Sequence, residues 1–218
     1  YEHYLKKPPR LIYRGSDEEY FSQNFIPDAS YLVNFYSKFP NLKDTKIISF
    51  PGRLSSWKGQ ESFIKLMSDL PKKFSGLIVG PYETAKPKYL KNLKKLIKDY
   101  RLQNRVYFHN AKDDIREIYH LSEIVLNLSS KPEPFGRTVL EAAMMGKKIA
   151  GWDRGGTGEV LEMCFPEGKV EFNNFDLLSK KIKELSDKDN TPENIFLTST
   201  LMHEKTVSFY LDAINKNT

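Results

Sequence analysis

Short apolar runs alternate with helical patterns along most of the 218-residue chain. The runs are rich in Ile, Val and Phe and lack strict apolar–polar alternation, which is typical of parallel strands buried on both faces. They predict strands in seven stretches: RLIYRG from Arg10, KIISFPG from Lys46, GLIVG from Gly76, RVYFHN from Arg105, EIVLNLS from Glu123, KKIAGW from Lys147 and GKVEF from Gly168.

Between these runs, apolar residues recur at helical spacing. They predict helices over residues 57–70, 87–102, 113–120, 137–145 and 175–185, and a short one from Ser30. A last helix is expected over 192–214, with Thr191 as its N-cap and Pro192 at its first position. The alternation predicts an α/β fold: a Rossmann-like, doubly wound, mostly parallel sheet of about six strands with helices on both faces.

The chain divides into three predicted parts. Residues 1–10, YEHYLKKPPR, are charged and contain two prolines, so they are interpreted as a linker. Residues 11–190 are expected to form the Rossmann-like domain, and residues 191–218 the C-terminal helix. Since the chain starts at Tyr1 rather than Met, we expect it to be part of a longer protein.

Composition narrows the function classes only a little. The formal charge is 34 − 28 = +6, which suits an anionic ligand or a peripheral membrane contact, and equally a Lys-rich solvated surface. No apolar run approaches the roughly 20 residues that cross a bilayer. A single cysteine, Cys164, fits a reducing cytoplasm and excludes an internal disulfide.

The stretch EPFGRTVLEAAMMG, residues 133–146, follows the predicted strand EIVLNLS. A helix that starts near Arg137 leaves its first amides unpaired at the positive end of its dipole. These amides predict a phosphate cradle formed by the backbone of four consecutive residues, Phe135, Gly136, Arg137 and Thr138.

Two carboxylates lie eight positions apart in the same stretch. Glu133 stands in the loop at the mouth of the expected cleft, and Glu141 lies one turn into the helix. Glu141 could accept hydrogen bonds from vicinal hydroxyls such as those of a ribose. Taken alone, the two residues favour a simpler account, in which Glu133 caps the loop and the helix dipole favours Glu141.

A second polar loop, GRLSSWKG, follows the strand KIISFPG and contains Arg53 and Lys58. A guanidinium holds a phosphate at two points, and an ammonium adds a point charge. Both would stabilise the charge that builds on a departing diphosphate. By themselves, two basic residues in a loop are ordinary surface charges.

In their order along the chain, these motifs resemble retaining nucleotide-sugar glycosyltransferases of the group that includes bacterial glycogen synthases. The resemblance covers residues 10–185 and is most specific at Glu133-x7-Glu141 joined to the pair Arg53 and Lys58. It implies one half of a GT-B fold, namely the C-terminal, donor-binding domain. A second, N-terminal acceptor domain would then be a partner.

The resemblance also implies roles and ligands. Arg53 and Lys58 would bind the donor diphosphate, Glu133 the transferred sugar and Glu141 the ribose. The amides of residues 136–138 would meet the sugar or phosphates, and the base would be held by the turn after RVYFHN, formed by Asn110, Ala111 and Lys112. The implied donor is a UDP-, GDP- or ADP-linked sugar.

The implied reaction is transfer of a hexosyl unit, with retention of configuration, to a glycan or lipid-linked acceptor. It would need neither a metal nor another cofactor, in agreement with the lack of an Asp-x-Asp pair after a strand. We expect little turnover from this part alone. The implied location is the cytoplasm, including the inner face of the membrane.

Two other function classes stay open. A GT-B nucleotide-sugar epimerase shares the fold but is not expected to carry this set of four side chains. A non-catalytic basic module that binds nucleic acid would interleave aromatics with Lys and Arg on an exposed strand. Here the aromatics lie in core-like runs, so no nucleic-acid partner is expected.

Overall fold

The computed structural model describes residues 10–82, 85–111, 114–193 and 195–215. Its six strands form one parallel sheet with the spatial order β3-β2-β1-β4-β5-β6. This confirms the predicted α/β, Rossmann-like fold. The strands are β1 (Lys46–Pro51), β2 (Phe74–Val79), β3 (Val106–His109), β4 (Ile124–Asn127), β5 (Lys148–Trp152) and β6 (Lys169–Val170).

Helices connect the strands and cover the sheet. Those found in the described residues are α1 (Ala29–Lys38), α2 (Gln60–Asp69), α3 (Pro87–Asp99), α4 (Ile115–Leu121), α5 (Arg137–Met144), α6 (Gly155–Cys164), α7 (Phe175–Asp187) and α8 (Ser199–Asn215). Short 3-10 turns occur at Pro40–Leu42, Ser56–Lys58 and Pro166–Gly168.

The sheet is buried on both faces, which explains the unbroken apolar runs. Successive strand side chains point to opposite faces. Accordingly, Ile48 and Ile78 belong to the larger core cluster, whereas their neighbours Ile47, Leu77 and Val79 belong to a second cluster under α1. A strand enclosed in this way has no solvent face and therefore shows no polar alternation.

Two predicted elements are wrong. The stretch RLIYRG forms no strand, and the segment pairs only through an isolated bridge between Ser16 and Thr198. The last helix begins at Ser199, not at Pro192, and the Thr198 hydroxyl accepts the amide of Leu201 at its start. The reason is tertiary: residues before Ser199 run along the domain, where Leu197 is buried in the core.

Smaller differences concern helix starts. The predicted helix over 57–70 is a 3-10 turn followed by α2, since Gly59 between them has a left-handed φ of +94°. Helix α6 begins directly at Gly155, in a stretch for which the sequence predicts no helix. Most of the predicted linker, residues 1–9, lies outside the described residues.

The strand order reverses between β1 and β4, which are neighbours in space but not in sequence. In open parallel sheets, ligands bind outside the carboxyl ends of the strands at such a switch point. The polar loops that follow β1 and β4 therefore meet at the place where a ligand site is expected.

Candidate functional site

The loop after β1 is pressed against the end of β4. A Cβ atom at Gly59 would come within 2.2 Å of the carbonyl oxygen of Leu128, so only glycine allows this approach. Gln60 ties the loop together by donating from its amide nitrogen to the Arg53 carbonyl at 3.0 Å. This packing brings Lys58 to the loop that follows β4.

Lys58 and Glu133 form an ion pair across the switch point. The distance from Lys58 Nζ to Glu133 Oε1 is 2.8 Å, and the side chains are only 15% and 10% exposed. The same oxygen also accepts hydrogen bonds from Asn127 Nδ2, at 3.1 Å, and from the Ser129 hydroxyl. Lys58 and Glu133, which the sequence places in different loops, therefore lie side by side at the switch point.

The environment keeps the Glu133 carboxylate ionised. Burial raises its pKa, but the hydrogen bonds from Lys58, Ser129 and Asn127 and the Lys58 charge outweigh burial, so the pKa is lowered. At neutral pH the group is therefore an acceptor and not a proton donor. Within the described residues, no donor reaches its Oε2 atom, and this atom is not fully buried, so it remains accessible to a ligand.

Arg53 adds a second positive charge in the same loop. Its side chain is exposed, and no ion pair or hydrogen bond of its guanidinium is found in the part of the chain that the structure describes. The loop after β1 thus presents one cation that is engaged with Glu133 and one that is available to a ligand.

The start of α5 lies beside this pair. Gly136 adopts a left-handed φ of +84°, and the amides of Val139 and Leu140 both donate to its carbonyl. The helix itself supplies no acceptor for the amides of Arg137 and Thr138. Phe135, half-buried against the core, completes the turn.

The loop before α5 is fixed by α6. The Gly156 amide donates to the Glu133 carbonyl at 2.7 Å. A Cβ atom at Gly156 would meet the backbone of Phe135 at 2.3 Å. The backbones at the N-termini of α5 and α6 are therefore packed against each other, and this packing holds Glu133 in place.

Glu141 lies in a different setting from the one that the sequence predicts. Its side chain is 5% exposed, and both of its oxygens already have protein partners. The Tyr119 hydroxyl donates to Oε2 at 3.0 Å, and Arg137 Nε donates to Oε1 at 2.7 Å. Each oxygen keeps a second lone pair, and the Arg137 side chain is 75% exposed, so this cover is movable.

The predicted base-binding turn lies at the same edge of the sheet, two strands away from β1. Asn110 and Ala111 directly follow β3, whereas Lys112 lies outside the described residues. The last residue of β3, His109, packs against the ring of Phe35 in α1 and that of Phe39, just after α1, and bonds to Asp114 at 2.6 Å. His109 is thus a packed structural residue.

Sequence reasoning missed three residues of the site. Asn127 and Ser129 donate to Glu133, and Tyr119 donates to Glu141. The polar Asn127 inside the apolar strand EIVLNLS was a usable signal, because a buried amide needs hydrogen-bond partners. Tyr119 gave no such signal, since an aromatic residue on a helix is usually only part of the core.

Replacing Tyr119 with phenylalanine should destabilise the protein. Burial and the neighbouring Glu141 raise the Tyr119 pKa, so the hydroxyl stays protonated and donates over the whole accessible pH range. Its loss leaves a buried carboxylate with one donor fewer, which costs about 1–3 kcal/mol. Urea unfolding at pH 7 measures the change.

Tyr107→Phe is the matched control, because among the described residues the hydrogen bond found for the Tyr107 hydroxyl is an exposed one, accepted from Asn41. It should cost less than about 1 kcal/mol. Equal losses of unfolding free energy in the two variants would show that the hydrogen bond from Tyr119 to Glu141 stabilises the fold no more than an exposed hydrogen bond does.

The described residues contain neither a cluster of metal ligands nor a helix suited to span a membrane. No group of three or more His, Cys, Asp or Glu side chains is arranged to hold a metal ion among them. None of the helices in that part of the chain combines the length and apolarity needed to cross a bilayer.

A Rossmann-like domain with cations and carboxylates facing each other at the switch point has the architecture of one half of a GT-B glycosyltransferase. Comparison with known proteins agrees. The model of the family "Glycosyl transferases group 1" matches residues 34–197, three quarters of the chain, and the chain belongs to this family.

Similar proteins share the fold and exceed this chain in length. An uncharacterized glycosyltransferase of Methanocaldococcus jannaschii, MJ1069, is 31% identical over 191 residues, which are 85% of this chain and 41% of that protein. A glycosyltransferase structure from Rickettsia africae is 27% identical, with a TM-score of 0.79, and the match covers 93% of this chain and 56% of the other.

The Anabaena protein HepE, solved in complex with UDP-glucose, has a TM-score of 0.70 at 24% identity. The match covers 82% of this chain and 48% of HepE. At this identity the likeness shows the shared fold. The chain thus spans about two fifths to somewhat over half of the proteins that it resembles.

Proposed function

We propose that this chain is the donor-binding part of a retaining glycosyltransferase. It would bind a nucleoside diphosphate sugar, whose hexosyl unit passes to a glycan or lipid-linked acceptor without a divalent metal. The observation that carries the proposal is the pair Lys58–Glu133 at the switch point, with one carboxylate oxygen open and a second cation, Arg53, in the same loop.

The cations account for the leaving group. When the glycosidic bond breaks, negative charge builds on the diphosphate, and fixed positive charges lower the energy of that state. Arg53 offers a bidentate guanidinium and Lys58 an ammonium with further N–H donors. The amides of Arg137 and Thr138, which have no acceptor within the helix, add the positive end of the α5 dipole. Together they would supply the charge that a metal ion provides in other enzymes.

Glu133 accounts for the sugar. Because its carboxylate is ionised and Oε2 is open, it suits acceptance of a hydrogen bond from a sugar hydroxyl. An ionised carboxylate beside the anomeric carbon also stabilises the positive charge that develops on the sugar. Glu133 is therefore assigned to the transferred hexosyl unit.

Glu141 is assigned to the ribose, which must bind beside or in place of the present partners of this carboxylate. Its oxygens are covered by Arg137 and Tyr119, so a ribose would share the remaining lone pairs or displace Arg137. Since Arg137 is mostly exposed, it can swing away while the ribose hydroxyls replace its hydrogen bond to the buried carboxylate, and the released guanidinium would lie near the phosphates. The base is assigned to the backbone of Asn110, Ala111 and Lys112.

We further propose that residues 11–190 are the donor module and that the C-terminal helix docks elsewhere. None of the residues of α8 is buried. The helix nevertheless carries large apolar side chains that are 40–63% exposed, namely Val207, Phe209, Tyr210 and Leu211. A companion acceptor-binding domain would cover them, in agreement with the greater length of the relatives. Turnover by this chain alone would then be low.

A calorimetric screen of UDP, GDP, ADP and their glucose conjugates tests the function. We expect one nucleotide series to bind, with UDP-glucose tried first because HepE was solved with it. Glu141→Gln should lower the affinity for that nucleotide about tenfold, which corresponds to a loss of about 1.4 kcal/mol of binding free energy. Glu204→Gln, an exposed position on α8, is the control and should change nothing.

Failure of all the nucleotides to bind would reject the proposed function. Equal affinities of the parent and of Glu141→Gln would reject the ribose assignment alone. Formation of an epimerised nucleotide sugar would favour the epimerase over the transferase as the function of this chain.

A further inference from the structure

Asn127 connects all parts of the loop that carries Glu133. Its side chain lies at the end of β4 and is 94% buried, since the residue is only 6% exposed. Nδ2 donates to Glu133 Oε1 at 3.1 Å and to the Thr138 hydroxyl at 3.3 Å, while Oδ1 accepts the Ser129 amide at 3.3 Å. One amide thus links the strand, the loop and the first turn of α5.

The donors around Glu133 are distributed unevenly. Lys58, Asn127 and Ser129 all donate to Oε1, and none of them donates to Oε2. Ser129 is also only 6% exposed, so its hydroxyl is committed to this contact. Three converging donors leave the carboxylate a single orientation, in which Oε2 is the oxygen that a ligand can reach.

We propose that Asn127 and Ser129 are positioning residues, which hold the Glu133 carboxylate with Oε2 towards the transferred sugar while Lys58 is engaged with the diphosphate. This inference rests on the proposed function. It explains why the site needs neutral donors besides Lys58: a cation that must bind phosphate cannot also be the sole anchor of the carboxylate.

The physical reason is preorganisation. A glutamate side chain has three rotatable bonds, and a carboxylate held by one flexible lysine would sample many orientations. A buried network of donors that converges on one oxygen of the carboxylate restricts it to one orientation. A displacement of about 1 Å at such a group can cost as much as a hundredfold in rate.

The test separates the sugar from the nucleotide. The Kd values of UDP and UDP-glucose are measured by calorimetry on the 218-residue chain. The Kd of UDP divided by the Kd of UDP-glucose is the ratio that reports the contribution of the glucose to binding. Ser129→Ala should lower this ratio about tenfold, as expected for the loss of a hydrogen bond to a charged group, and leave UDP within about twofold.

Ser130→Ala is the matched control. Its hydroxyl donates to the Trp57 carbonyl at 3.1 Å and not to Glu133, so both affinities should stay unchanged. Asn127→Asp is the second variant, because it replaces the donor by a carboxylate next to Glu133. It should abolish the contribution of the glucose, and the melting temperature shows that the variant is folded.

A spectroscopic readout follows the carboxylate without any ligand. The ¹³C signal of the Glu133 carboxyl, assigned by its loss in Glu133→Gln, should titrate below the ordinary range of Glu in the parent. Lys58 is the charged group that contacts Glu133 within the described residues, and it is retained in both variants. The titration midpoint should therefore rise in Ser129→Ala and further in Asn127→Asp.

The outcomes are distinct. If the parent binds UDP-glucose more tightly than UDP, and neither variant changes the ratio or the midpoint, the positioning role is overturned and the proposed function survives. If both variants move the midpoint but not the ratio, Asn127 and Ser129 hold only the fold of the loop, which also overturns the role. If the parent binds no nucleotide sugar, the proposed function fails and the positioning role with it.

Discussion

Replacing Lys58 with alanine should weaken the binding of the nucleotide-sugar donor by one to two orders of magnitude. The Lys58 side chain is only 15% exposed, and its ammonium lies at the junction of the loops after β1 and β4. A hydrogen bond from such a group to an ionised partner contributes about 1.5–3 kcal/mol, which corresponds to roughly 10- to 150-fold in affinity. Calorimetric titration with UDP-glucose measures it.

Lys65→Ala provides the control for charge alone. Lys65 lies exposed on α2 and contacts no residue of the site, so the net charge falls by the same amount. Its affinity for UDP-glucose should stay within about twofold of the parent, because exposed charges are screened by salt. Similar losses in the two variants would mean that Lys58 acts only through the general field of the protein.

The Lys58 substitution should also change the stability and its dependence on pH. The folded pKa of Glu133 is lowered, so its ionised form stabilises the fold above the ordinary Glu pKa of about 4.3. This contribution is lost as the pH falls through the lower folded pKa. Since Asn127 and Ser129 still donate to Glu133 in Lys58→Ala, the variant loses one charged hydrogen bond and should be about 2 kcal/mol less stable than the parent at pH 7, and the gap should shrink in acid.

Replacing Gly59 with alanine should cost more stability than any other change considered for this site. The residue has a φ of +94°, and an added Cβ would lie 2.2 Å from the Leu128 carbonyl oxygen. Backbone strain of about 1–3 kcal/mol adds to the displacement of the loop from β4, so a loss of about 4 kcal/mol or more is expected. Urea denaturation measures it.

Gly146→Ala isolates the strain from the clash. Gly146 has a φ of +67°, but an added Cβ would meet only the flexible side chain of Gln23, at 3.2 Å. It should cost about 1–2 kcal/mol. A loss in Gly59→Ala no greater than this would show that the loop after β1 does not depend on its close approach to β4.

Local signals in the sequence were sufficient for most of the fold. Six of the seven predicted strands exist, because burial on both faces leaves a readable apolar run. RLIYRG failed because the same composition also suits an extended segment that packs on a domain without joining its sheet. The start of α8 failed because Thr191 and Pro192 are good helix-start residues, while the burial of Leu197 favours an extended path.

The candidate site was predictable in part. The loops that directly follow β1 and β4 carry Arg53, Lys58 and Glu133. Their meeting at one edge of the sheet therefore follows from the parallel fold. The setting of Glu141 was not predictable, because its partner Tyr119 comes from another helix, 22 positions away. The roles of these residues and of Asn110, Ala111 and Lys112 stay predictions until ligands are measured.

The sequence by itself determined the class of fold, the loops that carry polar groups and the side chains that can meet a diphosphate, because these depend on neighbours along the chain. Only the tertiary structure decided which oxygen of Glu133 is held and which is open, and that Glu141 is covered. Those properties depend on contacts between β1, β4, α4 and α5, and spacing along one chain carries no information about the direction in which side chains converge.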